Sequence, residues 1–209
     1  MLRTDWKGYR TIAWLMQGII GVAMVAMLIE ANWFAAASLA GFLLVSFLFV
    51  KLERKLPCFF DLVFMIAALI NAAGWAWNLY NRPGPVDEIA HFYTIFAITL
   101  ATGFILYQEL MESFYDHRVM FVLTLASLGI ALGALWEVIE WLSDFVLPQQ
   151  IVSGLPDTMT DLLLDSAGAL LAALLNLRGL NELHERSTAN QSQPRRTAAT
   201  PDKRSEVVG

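Results

Sequence analysis

The chain has 209 residues, of which 57 % are hydrophobic and only 16 % charged, and its mean hydropathy is +0.54; a soluble domain carries about 25 % charged residues. This composition excludes a soluble globule and a disordered chain, and a single cysteine, Cys58, excludes a disulfide scaffold. The net charge of −5 argues against a nucleic-acid binder, which needs a basic surface. Carboxylates are costly in lipid, so their placement along so apolar a chain is informative.

Six apolar runs are long enough to cross a bilayer, which takes about 20 residues: Ile12–Glu30, Trp33–Val50, Cys58–Tyr80, Glu88–Met111, Val119–Leu147 and Thr158–Leu177. The first follows Arg3, Lys7 and Arg10 as a signal peptide would, but it is too long for one and lacks a clear small-residue cleavage site, so it reads as a retained span. Breaks fall at Asn81-Arg82-Pro83-Gly84-Pro85 and Pro148-Gln149-Gln150. The expected fold is therefore an all-α polytopic bundle of six spans over residues 1–178, followed by a disordered polar tail over 179–209.

Basic residues set the orientation. With the N-terminus cytoplasmic, thirteen of the fourteen lysines and arginines fall inside and only Arg82 outside, giving N-in and C-in topology and a cytoplasmic tail. Trp33, Trp75, Trp77 and Trp141 then fall near the outer ends, as an aromatic belt would. Thirteen basic against ten acidic residues leave the inner side at +3, whereas nine acids against one arginine leave the outer side at −8.

Eight of those nine outer acids lie on three segments, at or inside the outer ends of the fourth, fifth and sixth spans, at helical spacing. On the fourth, Asp87 and Glu88 stand four and three residues before His91 and share its helix face. First-turn acids also suit the helix dipole, and Asp87 reads equally as an N-cap. On the fifth, Glu137 and Glu140 are spaced i, i+3, Asp144 continues the stripe, and no lysine or arginine of that span neutralises them. Gly129 and Gly133 precede Glu137 on the same face, where small residues let another helix approach. On the sixth, Asp157, Asp161 and Asp165 recur every four residues; Asp157, after Pro156, reads as a structural N-cap, and Asp165, about two turns in, is the most expensive of the three to bury.

So many carboxylates cannot all ionise close together without a compensating cation, and Arg82 neutralises one at most. A donor set of oxygens with one or two imidazole nitrogens suits a divalent ion such as Mg, Mn or Ca, and less specifically Zn. The expected ligands are Glu88, His91, Glu137, Glu140, Asp161 and Asp165, with Glu137, Glu140 and Asp165 as the candidate catalytic carboxylates. Glu88-x-x-His91 has the form used in di-iron bundles, but its partner motif would be Glu137-x-x-Glu140, without the second histidine such sites need. Asn71 and Asn78 in the third span read as interhelical hydrogen-bonding groups, and His117 and His184 as solvated. No hydrolase elbow, Walker, dinucleotide or zincin motif is present.

The segments Asp87-Glu88-Ile89-Ala90-His91-Phe92, Leu135-Trp136-Glu137-Val138-Ile139-Glu140-Trp141, Asp157-Thr158-x-x-Asp161 and Asp165-x-x-Gly168-Ala169 resemble the YjdF-like bacterial inner-membrane proteins. More distantly they are similar to VanZ-type membrane proteins, a family linked to glycopeptide resistance. The resemblance covers roughly Cys58 to Leu177 and implies a multi-span membrane protein without implying a reaction.

Three functions are in contention. The first is an outward-facing, divalent-metal-dependent site acting as a hydrolase or transferase on a lipid or envelope intermediate, with one carboxylate left as general base. The second is a cation- or proton-coupled transporter; the third, a non-enzymatic membrane protein whose acids are interhelical glue or bind a partner. Under every reading the lipid bilayer is a partner and nucleic acid is not, while oligomeric state and reaction are not encoded legibly.

Overall fold

The structure, a computed structural model, describes residues 7–52, 57–115, 117–148 and 151–192. Six helices account for most of them: α1 (Lys7–Ile29), α2 (Trp33–Lys51), α3 (Cys58–Ala76), α4 (Val86–Tyr115), α5 (Arg118–Val146) and α6 (Leu155–Ser192). All six are long and apolar enough to cross a membrane, and no strand occurs among the described residues. The six-span, all-helical expectation is met. α6 continues past Arg178 to Ser192, while the remainder of the expected tail, 193–209, lies outside the described residues.

The side-chain distribution is the reverse of a soluble protein's. On α5 the buried positions include Gly129, Gly133 and Glu137, whereas Leu123, Leu135, Val138, Leu142 and Phe145 are exposed. Outward apolar and inward polar groups are what a hydrocarbon solvent selects.

The helices form two three-helix units. In one, α1, α2 and α3 pack against one another; in the other, α4, α5 and α6 do so, with α4 and α6 forming the most extensive pair in the bundle. The units meet along α3 and α4. An aromatic and aliphatic core built on Ile20, Leu39, Phe42, Phe64 and Met65 holds the first unit and its junction with α4.

Local chemistry sets the helix ends. The Asn32 side chain accepts a hydrogen bond from the Ala35 N–H at 3.2 Å and caps α2. α3 ends at Ala76, four residues before the apolar run does, because Asn78 turns left-handed (φ 53°) and brings Tyr80 back against the helix it has left. Asn78 is therefore a turn residue, hydrogen-bonded by Asn81 at 2.6 Å, and not a residue of the third span. α4 begins at Val86 and α6 at Leu155, so Asp87 and Asp157 lie in the first helical turns and not at the N-caps themselves. Asp157 still closes its helix end by accepting from the Ser153 N–H at 3.1 Å.

Candidate functional site: a histidine among carboxylates

With alternating helices, the start of α4, the end of α5 and the start of α6 share one end of the bundle. Two glycines let these helices close up. A Cβ at Gly168 would fall on the carbonyl oxygen of Phe92, so α6 touches the α4 backbone one residue beyond His91. A Cβ at Gly133 would fall on the carboxylate of Asp165, so α5 makes room for that side chain. The expected close approach at Gly129 and Gly133 is present, and Gly168 adds a third contact point.

The result is a buried imidazole ringed by acids from three helices. His91 Nδ1 lies 3.4 and 3.5 Å from the two oxygens of Asp165 and 3.5 Å from Oε1 of Glu137. Its Nε2 faces Asp87, 3.8 Å away and one turn earlier on α4. His91, Glu137, Asp161 and Asp165 are all buried; Asp87 and Glu140 are partly exposed. Trp136 donates from Nε1 to Glu140 at 2.9 Å, and Thr158 bonds the Glu137 carboxylate from the first turn of α6.

Two carboxylate oxygens in this ring have no hydrogen bond: Oε1 of Glu137, in a side chain 6 % exposed, and Oδ1 of Asp165, in one 1 % exposed. Both lie near His91, yet neither makes a hydrogen bond of acceptable geometry. An oxygen left bare in a buried carboxylate is expensive and needs a proton or a cation to offset it.

Ligand atoms from Asp87, His91 and Asp161 all lie within 4.8 Å of one another, and so do those from His91, Glu137 and Glu140. Either group could hold a metal ion. Of the expected ligands, His91, Glu137, Glu140, Asp161 and Asp165 come together. Glu88 belongs to neither group, although one of its oxygens is buried without a hydrogen bond; Asp87, on the His91 face of α4, stands where Glu88 was expected. Arg82 does not neutralise the cluster: it is exposed in the α3–α4 connection and forms no ion pair with these acids among the described residues.

Other expected polar positions are structural. Asp144 accepts from the Ile151 and Val152 N–H groups at 2.5 and 3.2 Å, pinning the α5–α6 connection. Asn71 donates to Ala67 O and Thr94 Oγ1 and accepts from Tyr80. Burial, reinforced by Asp87 and Glu140, pushes the Tyr80 hydroxyl well above its usual range, so it remains a donor to Asn71. His117 is exposed at the start of α5.

Residues 12–182 match the family of predicted membrane proteins DUF2238, which is the YjdF-like family. The chain belongs to this family. A stretch of 113 residues is 35 % identical to an uncharacterised protein of Thermotoga maritima, covering 53 % of this chain and 57 % of that one. No solved structure matches the chain.

This DUF2238 protein is accordingly a multi-pass membrane protein, and its bilayer is the medium around the site. Beside the histidine–carboxylate ring lies a cavity of about 600 Å³. Asp87, His91, Glu140 and Asp165 line its polar end, and the lining continues between the two three-helix units to Phe42, Val45, Phe64 and Ile98. Sequence reasoning also missed a second polar group, towards the other end of the first unit. There Arg10 pairs with buried Asp61, Ser46 donates to Asp61 at 2.6 Å, and Gln17 donates to Ser46 at 2.5 Å.

Proposed function

We propose that the ring formed by Asp87, His91, Glu137, Glu140, Asp161 and Asp165 holds a divalent cation and acts on the polar head of a lipid or envelope intermediate. The supporting observation is the pair of buried carboxylate oxygens, Glu137 Oε1 and Asp165 Oδ1, that meet at His91 without hydrogen bonds. Hydrogen-bonded glue would leave neither bare. The donors are mainly carboxylate oxygens with an imidazole, which suits Mg2+, Mn2+ or Ca2+ and, less specifically, Zn2+.

When bound, such an ion supplies Lewis acidity towards phosphate oxygens. The chain's own residues do the rest. Asp87 and Glu140, partly exposed towards the cavity, are placed to take a proton from water, and Trp136 fixes the Glu140 carboxylate. We further place this end of the bundle on the outer face of a bacterial cytoplasmic membrane, on the strength of the thirteen basic residues at the opposite end and beyond it.

A cation- or proton-coupled pathway is the second reading, favoured by the Arg10–Asp61–Ser46–Gln17 group, buried except for Arg10, in the other half of the bundle. The deep cavity wall of Phe42, Val45, Phe64 and Ile98 favours the site instead, because it is apolar.

Titration of the purified protein with Mn2+, followed by loss of the free-ion paramagnetic resonance signal, separates the readings. Saturable binding that weakens in both Glu137→Gln and Asp165→Asn, without cation-driven flux in proteoliposomes, is expected. Flux that disappears in Glu137→Gln would replace the enzyme-like site with a pathway, and no binding at millimolar Mn2+ would remove the ion altogether.

A further inference from the structure

The cavity is deeper than a metal site needs. Along α2 its lining runs from Trp33 to Val45, about 18 Å at 1.5 Å per residue, which passes the middle of a hydrocarbon core about 30 Å thick. Past Ser38, Asn71 and Thr94 its deep wall is apolar, built from Gly41, Phe42, Val45, Phe64 and Ile98. Ala37 and Gly41, one turn apart, are exposed, and a Cβ on Gly41 would meet nothing within 4 Å.

The cleft is loosely closed on one side. α2 and α5 both line it, yet they belong to different three-helix units and do not pack along their lengths. Near the polar end the seam is crossed by one ring contact, Phe34 on Trp136, with centroids 5.8 Å apart. A weakly packed seam between spanning helices faces acyl chains.

We propose that this cleft takes the hydrocarbon chain of a phospholipid, which enters sideways from the bilayer between α2 and α5 and brings its phosphate to the His91 ring. Three features select this occupant. The depth and the apolar far wall fit a hydrocarbon chain better than a soluble anion. A volume of about 600 Å³ is in the range of ligand sites. Asp165 lines the cleft and keeps a buried oxygen without a hydrogen bond, so the polar end is built to meet a ligand. Placement of the phosphate rests on the divalent-cation reading, because a bare carboxylate ring repels an anion; placement of the chain does not.

The test uses the full chain in vesicles of phosphatidylethanolamine and phosphatidylglycerol, doped with a phosphatidylglycerol that carries a diazirine near the end of one chain. After illumination, adducts are mapped by mass spectrometry. Adducts are expected at Ala37 and Val45 as well as at Phe47, which is exposed on α2 away from the cleft lining. Gly41→Phe fills the cleft and should lower the Ala37 and Val45 adducts by about tenfold or more while leaving those at Phe47 unchanged. The outward adducts report that the variant is folded, and Ala37→Phe serves as a second blocking variant.

Unchanged Val45 adducts in both variants would overturn the proposal, as would adducts confined to the outward face of the wild type. Mn2+ binding without cleft adducts refutes the chain site alone. Cleft adducts in a protein that binds no Mn2+ refute the metal reading and the phosphate placement, and leave the chain site standing.

Discussion

Gly168→Ala adds one methyl group at the place where α6 meets the backbone of α4. The new Cβ would land on the Phe92 carbonyl oxygen and lie 3.3 Å from the Phe96 nitrogen. Both are backbone atoms of a helix and cannot swing aside, so α4 and α6 must separate by on the order of 1 Å, at an overpacking cost of about 1–3 kcal/mol. For a chain of this size each kcal/mol moves the melting temperature by about 2–4 °C, so a drop of several degrees is expected in a detergent melting assay. The same displacement pulls His91 from Asp165, whose nearer oxygen is 3.4 Å from Nδ1, and should weaken Mn2+ binding. Gly21→Ala is the control, since a Cβ there meets nothing within 4 Å. If Gly168→Ala melts with the control and binds Mn2+ like the wild type, the tight α4–α6 crossing is wrong, and so is the assembly of the site through it.

Four other outcomes follow from the same geometry. Asp61→Ala breaks an ion pair with Arg10 in which only the aspartate is fully buried, so the cost should fall below the roughly 3–5 kcal/mol of a fully buried pair; melting should fall while Mn2+ affinity, measured at low temperature, stays at the wild-type value. Asp144→Ala removes the acceptor of two backbone N–H groups, costing about 1–3 kcal/mol, and should speed hydrogen exchange at Ile151 and Val152. Tyr80→Phe leaves Asn71 Oδ1 without its donor and should cost about 1 kcal/mol by melting. Because the folded chain holds the Tyr80 proton above the ordinary tyrosine value of 10.0 while the unfolded chain releases it there, wild-type stability should fall as pH rises past that value, and the Tyr80→Phe variant should lose less.

The spans were legible because hydrocarbon demands long apolar runs, and the acids were legible because three and four residues make a helix face. Asp161, Asp165, Glu137 and Glu140 could be assigned to a common depth from spacing alone, and their convergence followed from helix packing that the glycines announce. The choice of Asp87 over Glu88 was not legible. It depends on the rotation of α4 against α5 and α6, which one residue, about 100° on a helix, reverses.

The Arg10–Asp61–Ser46–Gln17 group was missed for a related reason. Arg10 counted as a flanking charge before an apolar run, although α1 already includes it, and Asp61 counted as a residue of the inner end. The available signal was an acid one turn into the run that begins at Cys58, with an arginine close to the facing end of the first span. The cleft between α2 and α5 had no sequence signal, since a gap between helices depends on which faces remain unpaired after packing.

The most direct measurement of the central claim is the metal content of the protein purified in detergent without chelator, alongside Glu137→Gln and Asp165→Asn purified identically. One divalent ion or more per chain in the wild type, and substantially less in both variants, is the result the account predicts. A wild type that carries no divalent metal and gains none from added Mn2+, Mg2+, Ca2+ or Zn2+, with melting unchanged, would contradict it and leave the five carboxylates and the histidine as a protonated structural network.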